Sequence, residues 1–300
     1  MLIPTIRPAM PLQAPTGTLL SRALRAVLIE RRMPYRLRAR WDRFARRCGW
    51  TDKTVRSGSL RVRVRRSTCD EAFVTNVLEK HEYTHEGFDI RAGETVVDIG
   101  ANIGIFALSA ARAGARVVAV EPDDENYRRL CANVAMNAAS QVTPVRRAVG
   151  REAGTVLLQC SSEGGYHSTT EGIMDGSPVG VQSVQSTTLA ILFDEFDVER
   201  CHFLKLDCEG AEYEILLNLP AAYFSRIDRL AMEWHGVEDR AERWARAGEL
   251  AACLVDHGFR LETFVEYENF RCGMIRAIHD QRTSAVRAAS PQQASCSVVG

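Results

Sequence analysis

From about residue 67 onward the chain alternates short apolar runs with longer stretches of helical period. Thr95-Val96-Val97-Asp98-Ile99 is a β-branched run that reads as a strand, and Gly100 to Gly104 reads as a turn. Ile105 to Ala113 is helical and closes at Gly114, a typical helix-stop glycine. Arg116 to Glu121 is the next strand, and Asp123 caps a helix reaching about Asn137. Val142 to Val149 reads as a strand, with further β segments near 155–160 and 180–187 and a short helix over Leu189 to Phe196. Cys201 to Leu206 is a buried strand, Gly210 to Leu219 a helix that stops before Pro220, and Ile227 to Trp234 another strand. Asp239 to His257 is a long helix closed by Gly258, and Phe259 to Val265 with Phe270 to Ile278 forms a last hairpin. Strands alternating with helices predict an α/β fold: a Rossmann-like, mostly parallel twisted sheet with helices on both faces and a C-terminal antiparallel hairpin.

The first 66 residues break that rhythm. Pro4, Pro8, Pro11 and Pro15 argue for an irregular start, since proline lacks a donor and blocks helix interiors. Residues 20–32 and 36–48 read as helices, and Leu-Arg-Val-Arg-Val-Arg at 60–65 has the strand period of an edge strand or basic ribbon. Residues 281–300 are rich in Ser, Ala and Gln and read as a disordered tail. The expected organisation is a basic, partly helical extension (1–66), one α/β domain (67–280) and the tail (281–300).

A net charge of zero conceals an asymmetry. Residues 1–66 carry 17 Arg or Lys against 3 acids, whereas 67–280 hold 19 bases and 35 acids. An acidic body argues against a nucleic-acid substrate, because affinity for phosphate backbones comes from Lys and Arg. The basic arm reads as a solvated extension able to make weak contact with an anionic membrane surface. Nine scattered cysteines without a C-x-x-C pair indicate neither a zinc knuckle nor a disulfide framework, and fit a reducing cytoplasm. No apolar run approaches the ~20 residues of a membrane helix, and the start lacks the apolar segment of a secretory signal. The expected location is cytoplasmic.

The first chemical signal is Val96-Val97-Asp98-Ile99-Gly100-Ala101-Asn102-Ile103-Gly104, a strand leading into a helix. Glycines there let the backbone turn sharply and approach a ligand, and the helix start offers free N–H groups. Glu121 ends the following strand, where an acid can accept from both ribose hydroxyls of an adenosine cofactor. Asn102 and Ile105 occupy places that the dinucleotide fingerprint G-x-G-x-x-G reserves for glycine. That opposes a nicotinamide oxidoreductase. Asp98, expected to point into the crevice at the strand end, suits a cationic ligand better than a diphosphate.

The second signal is Phe203-Leu204-Lys205-Leu206-Asp207-Cys208-Glu209-Gly210-Ala211-Glu212, a strand ending in acids before a glycine and a helix. Ligands of open α/β sheets bind outside the carboxyl ends of strands, so Asp207 and Glu209 are expected to border the same crevice as Asp98. Glu233-Trp234-His235 closes the next strand. With these segments the sequence resembles the FkbM family of S-adenosylmethionine-dependent methyltransferases over roughly residues 80–278. The resemblance implies a class I methyltransferase fold and methyl transfer, commonly to a hydroxyl of a small molecule, sugar or glycolipid. Cys208 stands where a valine is more usual in the family.

Candidate cofactor-binding residues are Asp98, Gly100, Asn102, Gly104, Glu121 and Asp207. Candidate catalytic residues are Asp207, Glu209, Glu233 and His235. His235 is the first choice for general base, since imidazole titrates near neutrality, with Asp207 the alternative and Glu233 orienting His235. Glu233 and His235 also make sense as a structural pair at a strand end. The four acceptor-side residues could hold Mg²⁺ or another divalent ion, but no spacing enforces it and no metal is assigned. Gly164 to Thr170, rich in Gly and hydroxyls, reads equally as part of the acceptor pocket or as a surface loop, and Tyr83 as packing. A degenerate domain used as a binding module is the non-enzymatic alternative.

Overall fold

The computed structural model describes residues 35–85, 87–161, 167–169, 178–268 and 270–280. The expected helix over 20–32 and the 281–300 tail lie outside them. The chain divides into two compact units, 1–51 and 52–300. In the first, helix α1 (Tyr35–Arg47) brings the ring of a half-buried Trp41 to 5.7 Å from that of Phe44 and 6.4 Å from that of Trp50, both exposed.

The second unit opens with an antiparallel hairpin, β1 (Asp52–Ser57) and β2 (Leu60–Arg65). The strand period of 60–65 buries Leu60, Val62 and Val64 and turns Arg61 and Arg63 outward, while Arg65 is held on Asp70. The buried side of β2 shares its core with α2 (Asp70–Leu78), α3 (Ile105–Arg112) and α4 (Asp124–Met136). The hairpin, which the charge pattern groups with the basic extension, therefore packs within the second unit. Helix α2 was not anticipated from the sequence.

Seven strands form the main sheet: β3 (Thr95–Ile99), β4 (Arg116–Val120), β5 (Val142–Val145), β9 (Phe203–Leu206), β10 (Arg229–His235), β11 (Phe259–Glu266) and β12 (Cys272–His279). Their order is β11-β12-β10-β9-β3-β4-β5. The five strands from β10 to β5 are parallel. Strand β12 runs antiparallel to both β10 and β11, so the expected C-terminal hairpin is inserted with its second strand innermost. Side-chain alternation sends Val97, Val118, Leu204 and Met232 to one face and Val96, Val117, Phe203 and Ala231 to the other. The first face is covered by α5 (Leu189–Glu195), α6 (Glu212–Leu216), α7 (Ala221–Phe224) and α8 (Arg240–Asp256), the second by α2, α3 and α4. This is the two-faced α/β sheet expected, in the strand arrangement of class I methyltransferases.

Two elements differ from expectation. The strand read over Val142 to Val149 is two strands, because the chain leaves β5 at Arg146-Arg147. The second piece, β6 (Ala148–Val149), joins a separate three-stranded sheet with β7 (Gly154–Ser161) and β8 (Pro178–Thr187). Pro144 cannot donate to a further strand, which suits β5's place at the sheet edge. The helix read over Gly210 to Leu219 shrinks to α6, because Gly210 is left-handed at φ +103° and the turn is tied down before Glu212.

Candidate active site

The alternation that builds the two faces also decides where the charged strand residues go. Asp98 sits on the same face as Val96, and Lys205 on the same face as Phe203. The two are registered partners on adjacent strands, and Lys205 Nζ lies 3.1 Å from Asp98 Oδ1. Lys205 also donates to the Gly100 carbonyl at 3.0 Å and lies 3.6 Å from Asp207 Oδ2. Burial would strip the Lys205 proton, but Asp98 and Asp207 outweigh it and raise the ammonium above its ordinary value. Burial pushes Asp98 upward, with Lys205 opposing. The expectation that Asp98 points into the crevice is corrected: its carboxylate is fully buried in the sheet face and paired with Lys205, whose side chain reaches the cavity wall.

The loop after β3 is shaped by the protein's own packing. A Cβ on Gly100, at φ +75°, would lie 1.7 Å from the Asp207 carbonyl oxygen, where the ends of β3 and β9 meet. A Cβ on Gly104 would lie 2.5 Å from Leu130 Cδ1 on α4. Both glycines thus permit close approach of protein to protein. Gly100 still lines the cavity, whereas Gly104 stands behind it. Asn102, between them at φ +50°, donates its backbone N–H to Glu121 Oε2 at 2.8 Å. Its buried side-chain Oδ1 accepts no hydrogen bond among the described residues. Glu121 Oε1 accepts the Asp123 N–H at 2.9 Å. Burial dominates and pushes the Glu121 carboxyl up to about 7.

At the other end of the cavity, acids from two strand ends converge. Tyr83 donates to Asp207 Oδ2 at 2.8 Å, and its oxygen is 3.4 Å from Glu233 Oε2. Burial holds the phenol neutral, and Asp207 and Glu233 reinforce that. His235 contacts Glu212 Oε1 through Nδ1 at 3.2 Å, while Nε2 faces Glu209 Oε2 at 3.6 Å and Glu233 Oε1 at 4.0 Å. Glu212 is fully buried and also accepts the N–H groups of Cys208 and Gly210, at 2.8 and 2.9 Å. It therefore fixes both the turn after β9 and the imidazole. Glu209 adopts the left-handed region at φ +54°, uncommon for a residue with a side chain. Burial raises Glu209 well above the carboxylate range, against the opposing pull of His235. Burial also raises Glu233, and Asp207 adds to it.

Two sequence expectations change here. Burial alone would lower His235, but Glu209 and Glu212 outweigh it and raise the ring well above its ordinary value. A ring that keeps its proton donates rather than accepts, which weighs against His235 as general base. The group orienting it is Glu212 rather than Glu233.

Gly100, Asn102, Glu121, Asp207, Glu209, Glu233 and His235 border one cavity of about 470 Å³ at the carboxyl ends of β3, β4, β9 and β10. Tyr83, Glu82 and Lys205 also line it, and α2 adds Phe73 and Val77. Of the loop 164–170, only 167–169 are described; His167 and Thr169 reach the wall, and Ser168 donates to the Glu209 carbonyl at 2.6 Å. Sequence reasoning passed over Lys205 and Glu212. The available signal was a lysine inside a four-residue apolar strand, in register with an acid. The eight described cysteines are free thiols. No helix among the described residues is long and apolar enough to cross a membrane.

Comparison with known proteins bears on this site. The chain is 28% identical over 233 residues to the AMB antimetabolite synthetase AmbE of Pseudomonas aeruginosa, a match covering 64% of this chain and a tenth of that protein's length. It is 27% identical over 205 residues to the 31-O-demethyl-FK506 methyltransferase FkbM of Streptomyces tacrolimicus, covering 59% of this chain and 76% of that one. A crystal structure of methyltransferase FkbM from Methylobacillus flagellatus superposes with a TM-score of 0.45 at 15% identity, over 68% of this chain and 47% of that one. The model of the methyltransferase FkbM domain matches residues 98–261. That stretch exceeds half the chain and carries every cavity-lining strand end from β3 to β10, so the chain belongs to the FkbM methyltransferase family.

Proposed function

We propose that this methyltransferase uses S-adenosylmethionine to methylate a hydroxyl oxygen of a small molecule, sugar or glycolipid. The observation carrying the reading is one cavity that joins an adenosine-compatible loop to a carboxylate-lined end. The residues present fit the donor. The orphaned Oδ1 of Asn102 lies buried at the wall, ready for a polar ligand group. Glu121 spends one lone pair per oxygen on a backbone N–H and a third on the Asn126 side chain, which leaves one for a ribose hydroxyl. A cavity of about 470 Å³ is in the range of small-molecule sites. When bound, S-adenosylmethionine supplies an already activated methyl group on a cationic sulfur.

The chain's own task is then positioning and proton removal. Gly100, Asn102 and Glu121 would hold the nucleoside, and Asp98 fixes Lys205 from behind the wall. The acceptor hydroxyl would lie at the carboxylate end. Asp207 is the proton acceptor best placed for it, because its side chain is 26% exposed and anchored by Tyr83. Acids outnumber bases on this wall, with Glu82, Asp207, Glu209 and Glu233 against Lys205 and the protonated His235, which favours a compact acceptor over a phosphate backbone.

The test is release of S-adenosylhomocysteine against a panel of hydroxylated metabolites and glycans. The wild type is expected to turn over at least one, and Asp207→Asn to lose about 10²-fold or more in rate with donor affinity retained. Methyl transfer confined to nitrogen or carbon acceptors would refute the oxygen assignment.

A further inference from the structure

The carboxylate end of the cavity holds donor groups that its hydrogen bonding leaves unused. Glu209 is only 8% exposed, yet its carboxylate accepts no hydrogen bond among the described residues. Its nearest cation is His235 Nε2 at 3.6 Å, beyond ordinary hydrogen-bond length. Glu233 Oε1 lies 4.0 Å from the same nitrogen. One ligand atom each from Asp207, Glu209 and His235 falls within 4.8 Å of the others. Donors sharing one ion at metal–ligand distances of about 2.0–2.2 Å stand roughly 3–4 Å apart. The 3.6 and 4.0 Å separations of Nε2 from the two glutamates fall in that range and are too long for direct bonding. The far side of the imidazole completes the pattern: Glu212 holds Nδ1 at 3.2 Å, as a carboxylate behind a metal-bound histidine does.

We propose that Asp207, Glu209 and Nε2 of His235, with Glu233 beside the same nitrogen, bind one divalent cation of the Mn²⁺ class, the ion displacing the proton that Nε2 carries in its absence. This rests on reading the carboxylate end as the acceptor's, where the ion would neutralise the carboxylates beside an acceptor oxygen. One imidazole with several carboxylates suits Mn²⁺ better than an all-oxygen Mg²⁺ site. Asp207 contributes least, because Lys205 lies 3.6 Å away and Tyr83 already bonds it. A second cluster, Asp123, Cys160 and His167, is a poorer site. There His167 Nδ1 accepts the Ser161 N–H at 2.9 Å, leaving the proton on Nε2, and Asp123 caps α4.

The test titrates Mn²⁺ into the EDTA-stripped full chain and follows free Mn²⁺ by electron paramagnetic resonance. One equivalent is expected to bind. Glu209→Gln and His235→Asn should each weaken it at least tenfold with native near-ultraviolet dichroism retained, and Glu233→Gln serves where either misfolds. Asp123→Asn should leave the affinity unchanged. Absence of Mn²⁺ binding below millimolar, equal binding by the three site variants, or loss in Asp123→Asn instead would overturn the proposal. S-adenosylhomocysteine binding to the same stripped sample separates the two readings: if it persists without Mn²⁺ binding, only the metal site fails.

Discussion

Single residues at the strand ends are tied to their neighbours by contacts that tolerate no extra atom. Gly100→Ala should destabilise far more than Gly87→Ala. Both positions have positive φ, but a Cβ at Gly87 meets nothing within 4 Å, while one at Gly100 would overlap the Asp207 carbonyl. The φ penalty alone is about 1–2 kcal/mol, so denaturant titration should give about that for Gly87→Ala and at least ~3 kcal/mol for Gly100→Ala. Equal losses would contradict the packing account. Glu121 supplies a pH prediction. Its carboxyl titrates at about 7, and ribose hydroxyls donate best to the ionised form. Affinity for S-adenosylhomocysteine should rise with pH, by at most about tenfold per unit, and level off above about 7. The same shift opposes folding: the native state holds the proton longer than the unfolded chain, so this residue costs stability as pH rises from 4.5 towards about 7. Calorimetry across that range in wild type and Glu121→Gln checks it, the variant losing less stability than the wild type as pH rises. At this scale the residue types were legible from the sequence and their directions were not. Asp98 was assigned to the crevice because strand ends usually serve ligands, but its parity with Val96 places it on the sheet face.

Elements hold one another through side chains that imitate backbone. At the end of α4, Asn133 and the C-cap Asn137 lie one turn apart and act as a strand against β2. Asn133 accepts the Arg63 N–H at 2.7 Å and donates to the Ile103 carbonyl at 2.9 Å, and Asn137 accepts the Arg61 N–H at 2.9 Å and donates to the Arg61 carbonyl at 2.7 Å. Asn133 is fully buried, so Asn133→Ala leaves backbone groups unsatisfied and should cost about 2–4 kcal/mol in equilibrium unfolding. The exposed pair at Asn137 should cost about 0.5–1.5 kcal/mol. A reversed ranking would show that apolar burial alone fixes the hairpin. Strand period at 60–65 announced β2, but nothing local announced that a helix would cover its edge. Long periodic elements such as α8 were legible, including the Asp239 cap that accepts the Glu242 N–H. Short ones followed tertiary demands: α6 begins where Glu212 ties down the turn, and β6 leaves the main sheet for its own.

For the whole molecule, the βα alternation foretold a two-faced parallel sheet, and the last two strands foretold the hairpin. What it left open was the insertion of β12 between β10 and β11, since pairing across a sheet depends on contacts distant in sequence. The cover over the cavity was likewise hidden, because α2 and Tyr83 precede the first motif and reach Asp207 only in the folded chain. The account as a whole requires that one crevice bind a single nucleoside donor. Calorimetric titration of S-adenosylmethionine into the wild type and Glu121→Ala tests it most directly. One site per chain is predicted, weakened at least tenfold in the variant, with no heat from NAD⁺. Undiminished binding by Glu121→Ala, or NAD⁺ bound in place of S-adenosylmethionine, would contradict it.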